Sequence, residues 1–394
     1  MIVTQLLPLA AILVSSLTTF THAAIPDDRQ QQQPPKGKAF DHILIIFLEN
    51  TNYALAASDQ YFQHLSQTGI TLTNYHALTH PSQPNYIASI AGDYYGLNND
   101  LNTSIPANYS TIVDLLEPKH LTWKTYQEDM PEVCYKPAQA PGIIDAQGVL
   151  RGDGLYFRKH NPFVIHESIA GNATRCDNIV PASQLPLDLI AASSLTTTPG
   201  TPLPNYMYYT PNMINDGHNT TVRDATLFLS SFLLPLLTSP AFLQSNTLVV
   251  ITFDETEDYT IGDNLVYTLL LGSNDLVIPP SLKNTTDSTF YTHYSLLSTV
   301  ESNWDLGNLG RNDANKKLAN VFKFVAERTG YQNFEVAGAD VGMFNETVPG
   351  FLTGAPHRKS SHDPASSPSH ANTFVPLSTK SLLVTIAFFV AAIV

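Results

Sequence analysis

Charged residues are scarce in this 394-residue sequence, and positive charge is scarcer than negative charge. Only 14% of the residues are charged, and 20 lysines and arginines stand against 34 aspartates and glutamates, which gives a formal net charge of −14 at pH 7. This balance argues against nucleic acid or an anionic membrane surface as a partner, because both would repel the chain. Threonine, serine, asparagine and tyrosine carry much of the polarity instead, which is typical of an extracellular, acid-adapted glycoprotein.

Cysteine is also rare, since the chain contains only Cys134 and Cys176. In an oxidising compartment these two residues should form a disulfide, which would stabilise the fold by up to ~4 kcal/mol by constraining the unfolded chain. The alternative is a pair of reduced, buried thiols, which secretion would disfavour.

The sequence lacks an apolar run of the ~20 residues that a membrane-spanning helix needs, although both ends of the chain are apolar. Residues 1–23 are predicted to be a secretory signal peptide, because an apolar run leads to a small-x-small cleavage pattern. Residues 351–369 form a Ser/Pro-rich stalk, and 370–394 end in a short apolar tail. This pattern predicts a GPI-attachment propeptide with Ser369 as the attachment residue. The alternatives are a tail anchor or a buried C-terminus.

Six N-x-Ser/Thr sequons accompany the predicted signal peptide. Together they favour a secreted glycoprotein that is held by a lipid anchor at the plasma membrane or cell wall. The sequon asparagines are Asn102, Asn108, Asn172, Asn219, Asn284 and Asn345.

The distribution of apolar residues predicts an α/β fold. Residues 40–48 and 247–253 are nearly continuous apolar runs, as in strands that are buried on both faces of a parallel sheet. Helical and strand-like patterns alternate around them, which favours a three-layer α/β/α catalytic domain over residues 40–350, with 24–39 as a flexible lead-in. Helices are expected at 59–67, 111–117, 222–237 and 315–326, further strands at 71–75, 121–126, 205–211 and 265–271, and an irregular excursion stapled by the disulfide at 129–178.

The segment 79–92 begins as a polar loop and becomes apolar with helical spacing. Pro84 suits the first helical position and Gly92 the C-terminal end, so Ser82 should lie just before a helix N-terminus. Free N–H groups there favour an anion such as phosphate, and the amide of Asn85 could face the same anion. A hydroxyl beside an anion site suits a covalent phosphoryl-transfer nucleophile, whereas an ordinary capped helix is the alternative.

Polar and titratable residues follow the predicted strands. Because the carboxyl ends of parallel strands share one edge of a sheet, these side chains can converge. Carboxylates and imidazoles without thiolates suit a divalent ion such as Mg²⁺, Mn²⁺, Zn²⁺ or Ca²⁺, although each residue alone could be a solvated or packed side chain. The candidates are Glu49, Asn50, Asp216, His218, Asp254 and Glu255, with His80 in the Ser82 loop and His293 at a helix start.

Five segments occur in a specific order along residues 40–325. They are FDHILIIFLENTNY (40–53), HPSQPNYIASIAG (80–92), TPNMINDGH (210–218), FDE (253–255) and YTHYS (291–295). The combination resembles the phosphoesterase family of fungal secreted acid phosphatases and bacterial phosphatidylcholine-type phospholipases C, which is similar in fold to the alkaline phosphatase superfamily. The run at 82–85 also looks like the Thr-Phe-Pro-Asn run of nucleotide pyrophosphatases/phosphodiesterases.

The resemblance implies roles for the candidate residues. Ser82 matches the nucleophile and Asn85 its oxyanion partner, while His218 and His293 would bind a second metal or the phosphate. His80 could bind substrate, donate a proton to the leaving group or only fix the loop. The implied ligands of the first metal are Glu49, Asn50, Asp254 and Glu255.

Two departures from the superfamily pattern bear on the number of metals. The usual aspartate–histidine spacing before His218 is not kept, so Asp216 is a weak match, and Asn212 or Ile214 stands nearer the expected position. Glu255 also replaces a histidine that superfamily relatives often carry. One metal and two metals therefore both stay open.

The residues and the resemblance together predict a secreted, metal-dependent acid phosphatase that hydrolyses small phosphomonoesters through a phosphoserine at Ser82. A phosphodiesterase or phospholipase C would need the same metal centre, and an apolar channel formed by 129–178 would favour it. A non-catalytic cell-wall glycoprotein is the alternative from a different class. A sulfatase is disfavoured, because the Cys/Ser-x-Pro-x-Arg pattern of such enzymes is missing around Ser82.

Overall fold

The computed structural model describes residues 35–144, 150–151, 154–193, 203–260, 262–337 and 349–353. The predicted signal peptide, the propeptide, Ser369 and the sequon Asn345 lie outside the described residues, as does most of the predicted stalk.

The strands of the described chain form one large sheet and two small ones. They are β1 (His42–Leu48), β2 (Gly69–Leu72), β3 (Tyr75–His76), β4 (Trp123–Gln127), β5 (Ile143–Ile144), β6 (Leu150–Arg151), β7 (Ile179–Pro181), β8 (Tyr206–Thr210), β9 (Thr247–Phe253), β10 (Thr268–Gly272), β11 (Thr285–Asp287) and β12 (Tyr291–Thr292). The large sheet has eight strands in the order β11-β2-β10-β9-β1-β8-β4-β7, while β12 pairs with β3 and β5 with β6.

Helices connect most of these strands. They are α1 (Tyr53–Ser58), α2 (Gln60–Ser66), α3 (Ser82–Ala91), α4 (Ile112–Leu116), α5 (Pro162–Ile165), α6 (Glu167–Ala170), α7 (Ala173–Cys176), α8 (Gln184–Ser193), α9 (Val222–Thr238), α10 (Pro240–Gln244), α11 (Tyr294–Trp304) and α12 (Lys323–Thr329). Short 3₁₀ turns occupy Glu117–Lys119, Arg158–His160, Pro280–Leu282 and Asn312–Ala314.

The two central strands, β1 and β9, are buried on both faces of the large sheet. Every residue of β9 is buried, and so is every residue of β1 after His42. Since successive side chains of a strand point to opposite faces, both faces of the sheet must be covered. This explains the continuous apolar runs in the sequence and confirms the predicted α/β fold.

The large sheet is mostly parallel, as predicted. β1 runs parallel to both β8 and β9, and β4 runs parallel to β7 and β8. Only β10 among the strands of this sheet runs antiparallel to its neighbours, β2 and β9. The carboxyl ends of β1, β8 and β9 therefore meet at one edge.

Two predicted elements differ from the structure. The strand expected at 71–75 is two short strands, β2 and β3, which belong to different sheets. The helix expected at 315–326 is wrong for its first half, and α12 begins only at Lys323. The Asn320 amide donates to the carbonyl groups of Phe290 and Phe334, and these long-range hydrogen bonds hold the segment before α12 in a non-helical conformation.

The excursion at 129–178 is more regular than predicted, because it contains α5, α6, α7 and a 3₁₀ turn. The predicted disulfide between Cys134 and Cys176 is present, with the two Cα atoms 5.3 Å apart. It ties the start of the excursion to α7, and so it limits the freedom of the residues between them.

Within the described part of the chain, no helix has the length and apolar character needed to cross a membrane. The sequon asparagines that the structure describes are exposed, which glycan attachment requires. They are Asn102, Asn108, Asn172, Asn219 and Asn284. Glycosylation itself stays a prediction.

Candidate active site

The carboxyl ends of the two central strands place Glu49 and Asp254 side by side. Leu48 of β1 pairs with Phe253 of β9 in parallel register, so the next residue of each strand leaves the sheet at the same edge. The backbone N–H of Asn50 donates to Asp254 Oδ1 over 3.0 Å and links the two strand ends. The convergence that parallel strands predict is therefore observed.

Ser82 is the first residue of α3 and not a residue before the helix. Pro81 is the N-cap, so the helix begins two positions earlier than the Pro84 start predicted from the sequence. Gly92 ends the helix with φ +69°, the left-handed conformation that its predicted C-terminal place requires. Ser82 thus lies in the first turn, where backbone N–H groups have no acceptor within the helix.

The hydroxyl of Ser82 points into a cluster of acids. Ser82 is 1% exposed, and its Oγ donates to Glu49 Oε2 at 3.1 Å and lies 3.3 Å from Glu255 Oε1. Both carboxylates are therefore within reach of the single hydroxyl proton. Carboxylates so placed can accept that proton when the oxygen attacks an electrophile.

The first-turn N–H groups are not all free for an anion. The backbone N–H of Gln83 donates to Asp100 Oδ1 at 2.9 Å, and Asp100 Oδ2 accepts from Lys159 Nζ at 2.7 Å. A carboxylate thus occupies part of the anion site expected at this helix start.

Asn85 is fully buried and fastens the loop before α3. Its Oδ1 accepts from the backbone N–H groups of Leu78 and Thr79, and its Nδ2 donates to the carbonyl groups of Thr79 and Pro81. These bonds give Asn85 a structural role in holding the loop that carries Ser82. Its implied role as oxyanion partner stays a prediction.

The acids around Ser82 fit a bound cation. Glu49, Asp254 and Glu255 are fully buried, and burial together with the charges of Glu49 and Glu255 raises the pKa of Asp254 well above its usual value. Asp254 Oδ2 is buried without a hydrogen-bond partner. Burying three carboxylates is costly unless a positive charge compensates them, and a set of oxygen donors suits hard divalent ions.

Asn50 belongs to the same cluster. Its side-chain oxygen faces Glu49 Oε2 and Asp254 Oδ1, which suits a cation shared by the three groups, whereas the reversed amide would donate to these oxygens at 3.0 and 3.1 Å. The residue has φ +33°, so the backbone turns sharply out of β1 at this point. The predicted ligand set of Glu49, Asn50, Asp254 and Glu255 is therefore assembled in one place, although metal binding itself is not shown.

Two imidazoles contact the other side of Glu49. His160 Nε2 lies 3.3 Å from Glu49 Oε1, and His218 Nδ1 lies 3.2 Å from Glu49 Oε2. Ligand atoms of these three residues all lie within 4.8 Å of one another, which is close enough for one metal ion to contact them together. The Tyr86 hydroxyl also donates to Glu49 Oε1.

These contacts set the protonation of Glu49. Burial raises the pKa of Glu49, but the charge of His160 and the hydrogen bond and charge of His218 outweigh this and lower it to about 2. Burial in turn lowers the pKa of His160 well below its usual range, although the charge of Glu49 opposes this.

The candidates drawn from the sequence do not include His160, which lies in the 129–178 excursion. It directly precedes α5, where Asn161 caps the helix and Pro162 is the first residue. Its ring stacks on Tyr86 with a centroid distance of 5.0 Å. One sequence feature could have pointed to His160. It stands just before the Asn161-Pro162 start of a helix, as His80 stands just before Pro81 and α3.

The segment after β8 brings Asp216 and His218 to the site. Gly217 between them has φ +100°, which lets Asp216 Oδ1 accept from the backbone N–H of His218 at 2.8 Å. Burial and the charge of Glu49 raise the pKa of Asp216 well above its usual value. Asp216 Oδ2 lies 4.0 Å from His160 Nδ1 and has no hydrogen-bond partner, so Asp216 lies close to the imidazoles.

The other two predicted histidines differ in how they reach the cluster. His293 lies beneath it, with Nε2 bound to the carbonyl of Asp254 at 2.7 Å and Nδ1 to the Tyr75 hydroxyl at 3.1 Å. Both ring nitrogens are thus engaged, and direct binding of metal or phosphate by His293 stays a prediction. His80 Nδ1 is bound to Glu255 Oε2, while its Nε2 is buried without a partner.

A serine hydroxyl that faces buried acids and imidazoles at the carboxyl edge of a parallel sheet is suited to hydrolysis of an ester by covalent catalysis. The chain belongs to the Phosphoesterase family, whose model matches residues 51–307. It is accordingly a phosphoric ester hydrolase, as the resemblance of its motifs predicted.

Curated relatives are similar over most of the chain. A probable acid phosphatase of Kluyveromyces lactis is 44% identical over 80% of this chain and 69% of its own length. A phosphate-repressible acid phosphatase of Penicillium chrysogenum is also 44% identical, over 80% of this chain and 70% of its own. Among solved structures, a phosphonate monoester hydrolase of Agrobacterium radiobacter is 10% identical and superposes with a TM-score of 0.43, covering 75% of this chain and 79% of its own.

Proposed function

We propose that this protein is a secreted, cell-surface, metal-dependent acid phosphatase that hydrolyses phosphomonoesters through a covalent phosphoserine at Ser82. The observation that carries the proposal is the position of Ser82 Oγ, at the start of α3 and within hydrogen-bond reach of Glu49 and Glu255. The acid phosphatase relatives support the monoester class and the acid optimum.

In the first step, Ser82 Oγ forms a bond to phosphorus while the bond from phosphorus to the leaving oxygen breaks. The hydroxyl proton passes to the carboxylate of Glu255, whose pKa is raised by burial, and water later cleaves the phosphoserine to release phosphate and restore the hydroxyl. A divalent ion held by Glu49, Asn50, Asp254 and Glu255 would supply positive charge that favours the serine alkoxide and the phosphoryl oxygens.

The histidines are placed for proton transfer and anion binding. His80 Nε2 is the free nitrogen of a ring whose Nδ1 is held by Glu255, so the imidazolium form of this ring, with a proton on each nitrogen, can donate the Nε2 proton to the leaving oxygen. His160 and His218 lie against Glu49 on the other side and can contact the phosphoryl oxygens. Lys159 adds a positive charge that acts on Glu49 and Asp254.

Secretion and lipid anchoring are part of the same proposal. The disulfide and the exposed sequon asparagines of the described chain agree with an oxidising, glycosylating compartment. Release of the protein from intact cells by a phosphatidylinositol-specific phospholipase C would support the anchor, and retention of the protein on treated cells would argue against it.

The test of the activity compares p-nitrophenyl phosphate with bis-p-nitrophenyl phosphate at pH 5, for the purified chain ending before Ser366 and for its Ser82→Ala variant. We expect strong monoester turnover, weak diester turnover, and a loss of about 10³-fold or more in the variant. Preferred cleavage of the diester would make the protein a phosphodiesterase or phospholipase C. Full activity of Ser82→Ala would overturn the nucleophile assignment, and activity on neither ester would favour the non-catalytic glycoprotein.

A further inference from the structure

A cavity of about 300 Å³ lies beside the start of α3. Gln83, which follows Ser82, and Lys159, which precedes His160, line one part of it. The remaining wall is built from Asp100, Asn102, Ala138, Gln139, Phe157 and Arg158. The cavity is thus next to the acid and imidazole cluster but is formed by residues outside it.

Backbone hydrogen bonds fix the outer wall of this cavity. The N–H of Arg158 donates to the carbonyl of Ala138 at 2.9 Å, and the N–H of Ala140 donates to the carbonyl of Tyr156 at 3.1 Å. The guanidinium of Arg158 donates to Asn102 Oδ1 at 2.8 Å and is itself largely buried. The wall is therefore preformed and does not depend on a bound molecule for its shape.

Two of the three charged side chains that line the cavity form an ion pair. Lys159 Nζ lies 2.7 Å from Asp100 Oδ2, and the remaining oxygen of Asp100 accepts from the backbone N–H of Gln83. Arg158 is satisfied by neighbouring carbonyl and amide oxygens. The charge of Lys159 is therefore balanced by Asp100, whereas the hydrogen bonds of Arg158 go to neutral oxygens of the wall.

Phe157 gives the cavity an aromatic surface close to the reacting centre. Its ring is partly exposed, and its centroid lies 6.4 Å from that of His160. His160 Nε2 is 3.3 Å from Glu49 Oε1, and Glu49 Oε2 is 3.1 Å from Ser82 Oγ. Phe157 is thus one side chain away from His160, which contacts the acid that binds the Ser82 hydroxyl, and so the cavity lies close to the reacting centre.

We infer that this cavity is the subsite for the leaving group, and that it selects monoesters whose leaving group contains an aromatic ring stacked on Phe157. The inference rests on the proposed phosphatase function. The volume is sufficient, since a cavity of about 150 Å³ holds a benzene ring. Offset stacking between rings adds attraction beyond the area that it buries.

The test measures binding and turnover separately. Binding of phenylphosphonate and of methylphosphonate, which are not hydrolysed, is measured by calorimetry with the wild-type protein and with Phe157→Ala. Turnover of phenyl phosphate and ethyl phosphate is measured with the same proteins. Phe157→Leu keeps apolar volume without a ring, and Phe334→Ala is the matched control, because Phe334 is an exposed aromatic residue at 42% exposure and lies outside the cavity.

We expect Phe157→Ala to lower the phenyl-to-methyl affinity ratio and the phenyl-to-ethyl ratio of kcat/KM by about fivefold to tenfold. Phe157→Leu should give an intermediate loss, and Phe334→Ala should keep the wild-type ratios. Unchanged ratios in a folded, active Phe157→Ala protein would overturn the subsite while leaving the phosphatase intact. If phenylphosphonate bound more tightly than methylphosphonate but neither ester were hydrolysed, the proposed phosphatase function would be rejected. The role of the cavity as a leaving-group subsite would be rejected with it.

Discussion

His160 Nε2 lies 3.3 Å from Glu49 Oε1, although the two residues are more than a hundred positions apart in the chain. Glu49 follows the central strand β1, whereas His160 comes from the disulfide-bonded excursion. The site is therefore completed by a segment outside the sheet, and its geometry depends on how that segment is held in place.

Replacing His160 should reduce turnover without unfolding the protein. In His160→Gln the imidazole beside Glu49 is lost, and we expect kcat for p-nitrophenyl phosphate to fall by about 10²-fold. The matched control is His64→Gln, because His64 is exposed on α2. Equal activity of His160→Gln and wild type, with His160→Gln shown to be folded by circular dichroism, would exclude His160 from the reaction.

Removal of divalent metal should abolish activity and lower stability. Without a cation, the three buried carboxylates around Ser82 repel one another, so dialysis against a chelator should lower both the turnover and the melting temperature. Adding Mg²⁺, Mn²⁺, Zn²⁺ and Ca²⁺ in turn would identify the ion that restores both.

Asp254→Asn should retain less metal by elemental analysis than Asp258→Asn. Asp258 is exposed on the same loop, so its variant controls for the change of charge. Metal-free protein that keeps full turnover would contradict the metal-dependent mechanism.

The loop role of Asn85 predicts a loss of stability. Asn85→Ala leaves the buried N–H groups of Leu78 and Thr79 without their acceptor, which should lower the free energy of unfolding by about 2 kcal/mol. If Asn85 instead bound the oxyanion, the Asn85→Ala variant would keep the stability of wild type but would be inhibited less strongly by inorganic phosphate. Urea unfolding and phosphate inhibition together distinguish the two roles.

Protonation of Glu128 should make the protein more stable at acidic pH than at neutral pH. Burial raises the pKa of Glu128 from 4.5 to about 7, against the lowering effect of its hydrogen bonds from Asn212 and Asn215. Between these two values the folded state holds the proton more tightly than the unfolded state, so the free energy of unfolding falls as the pH rises from 4.5 to 7, by about 3 kcal/mol at most.

The check is urea unfolding at pH 5 and pH 7. Glu128→Gln should lose most of the difference in stability between these two conditions, whereas Glu132→Gln, at an exposed position, should keep it. A pH dependence that is the same in Glu128→Gln and wild type would refute the assignment.

The disulfide should stabilise both the fold and the site. The double variant Cys134→Ser and Cys176→Ser lacks the crosslink between residues that are 42 positions apart. Because the unfolded chain is then less constrained, the free energy of unfolding should fall by about 3 kcal/mol. Because the released segment carries Lys159 and His160, activity should also become more sensitive to heat than in wild type. Wild type treated with a reductant should behave like the variant, and identical unfolding curves for all three samples would contradict this role.

Much of the fold follows from local sequence patterns. The apolar runs of β1 and β9 have few stable alternatives to burial in the middle of a sheet, and the helix expected at 222–237 is observed as α9 at Val222–Thr238. Because strands alternate with helices, Glu49 and Asp254 are expected at the same sheet edge, and so both could be predicted as site residues from the sequence alone. Prediction failed at 315–326, where the hydrogen bonds of Asn320 come from residues that are close only in the folded chain.

The sequence by itself therefore determined the α/β class, the strand-end acids and the serine at a helix start, because each depends on short-range periodicity and parallel strand order. Only the tertiary structure decided that His160 joins Glu49, that Asn85 fastens the loop and that His293 has both ring nitrogens engaged. These outcomes depend on contacts between segments that are far apart in the chain, and no local pattern specifies the direction in which such a side chain points.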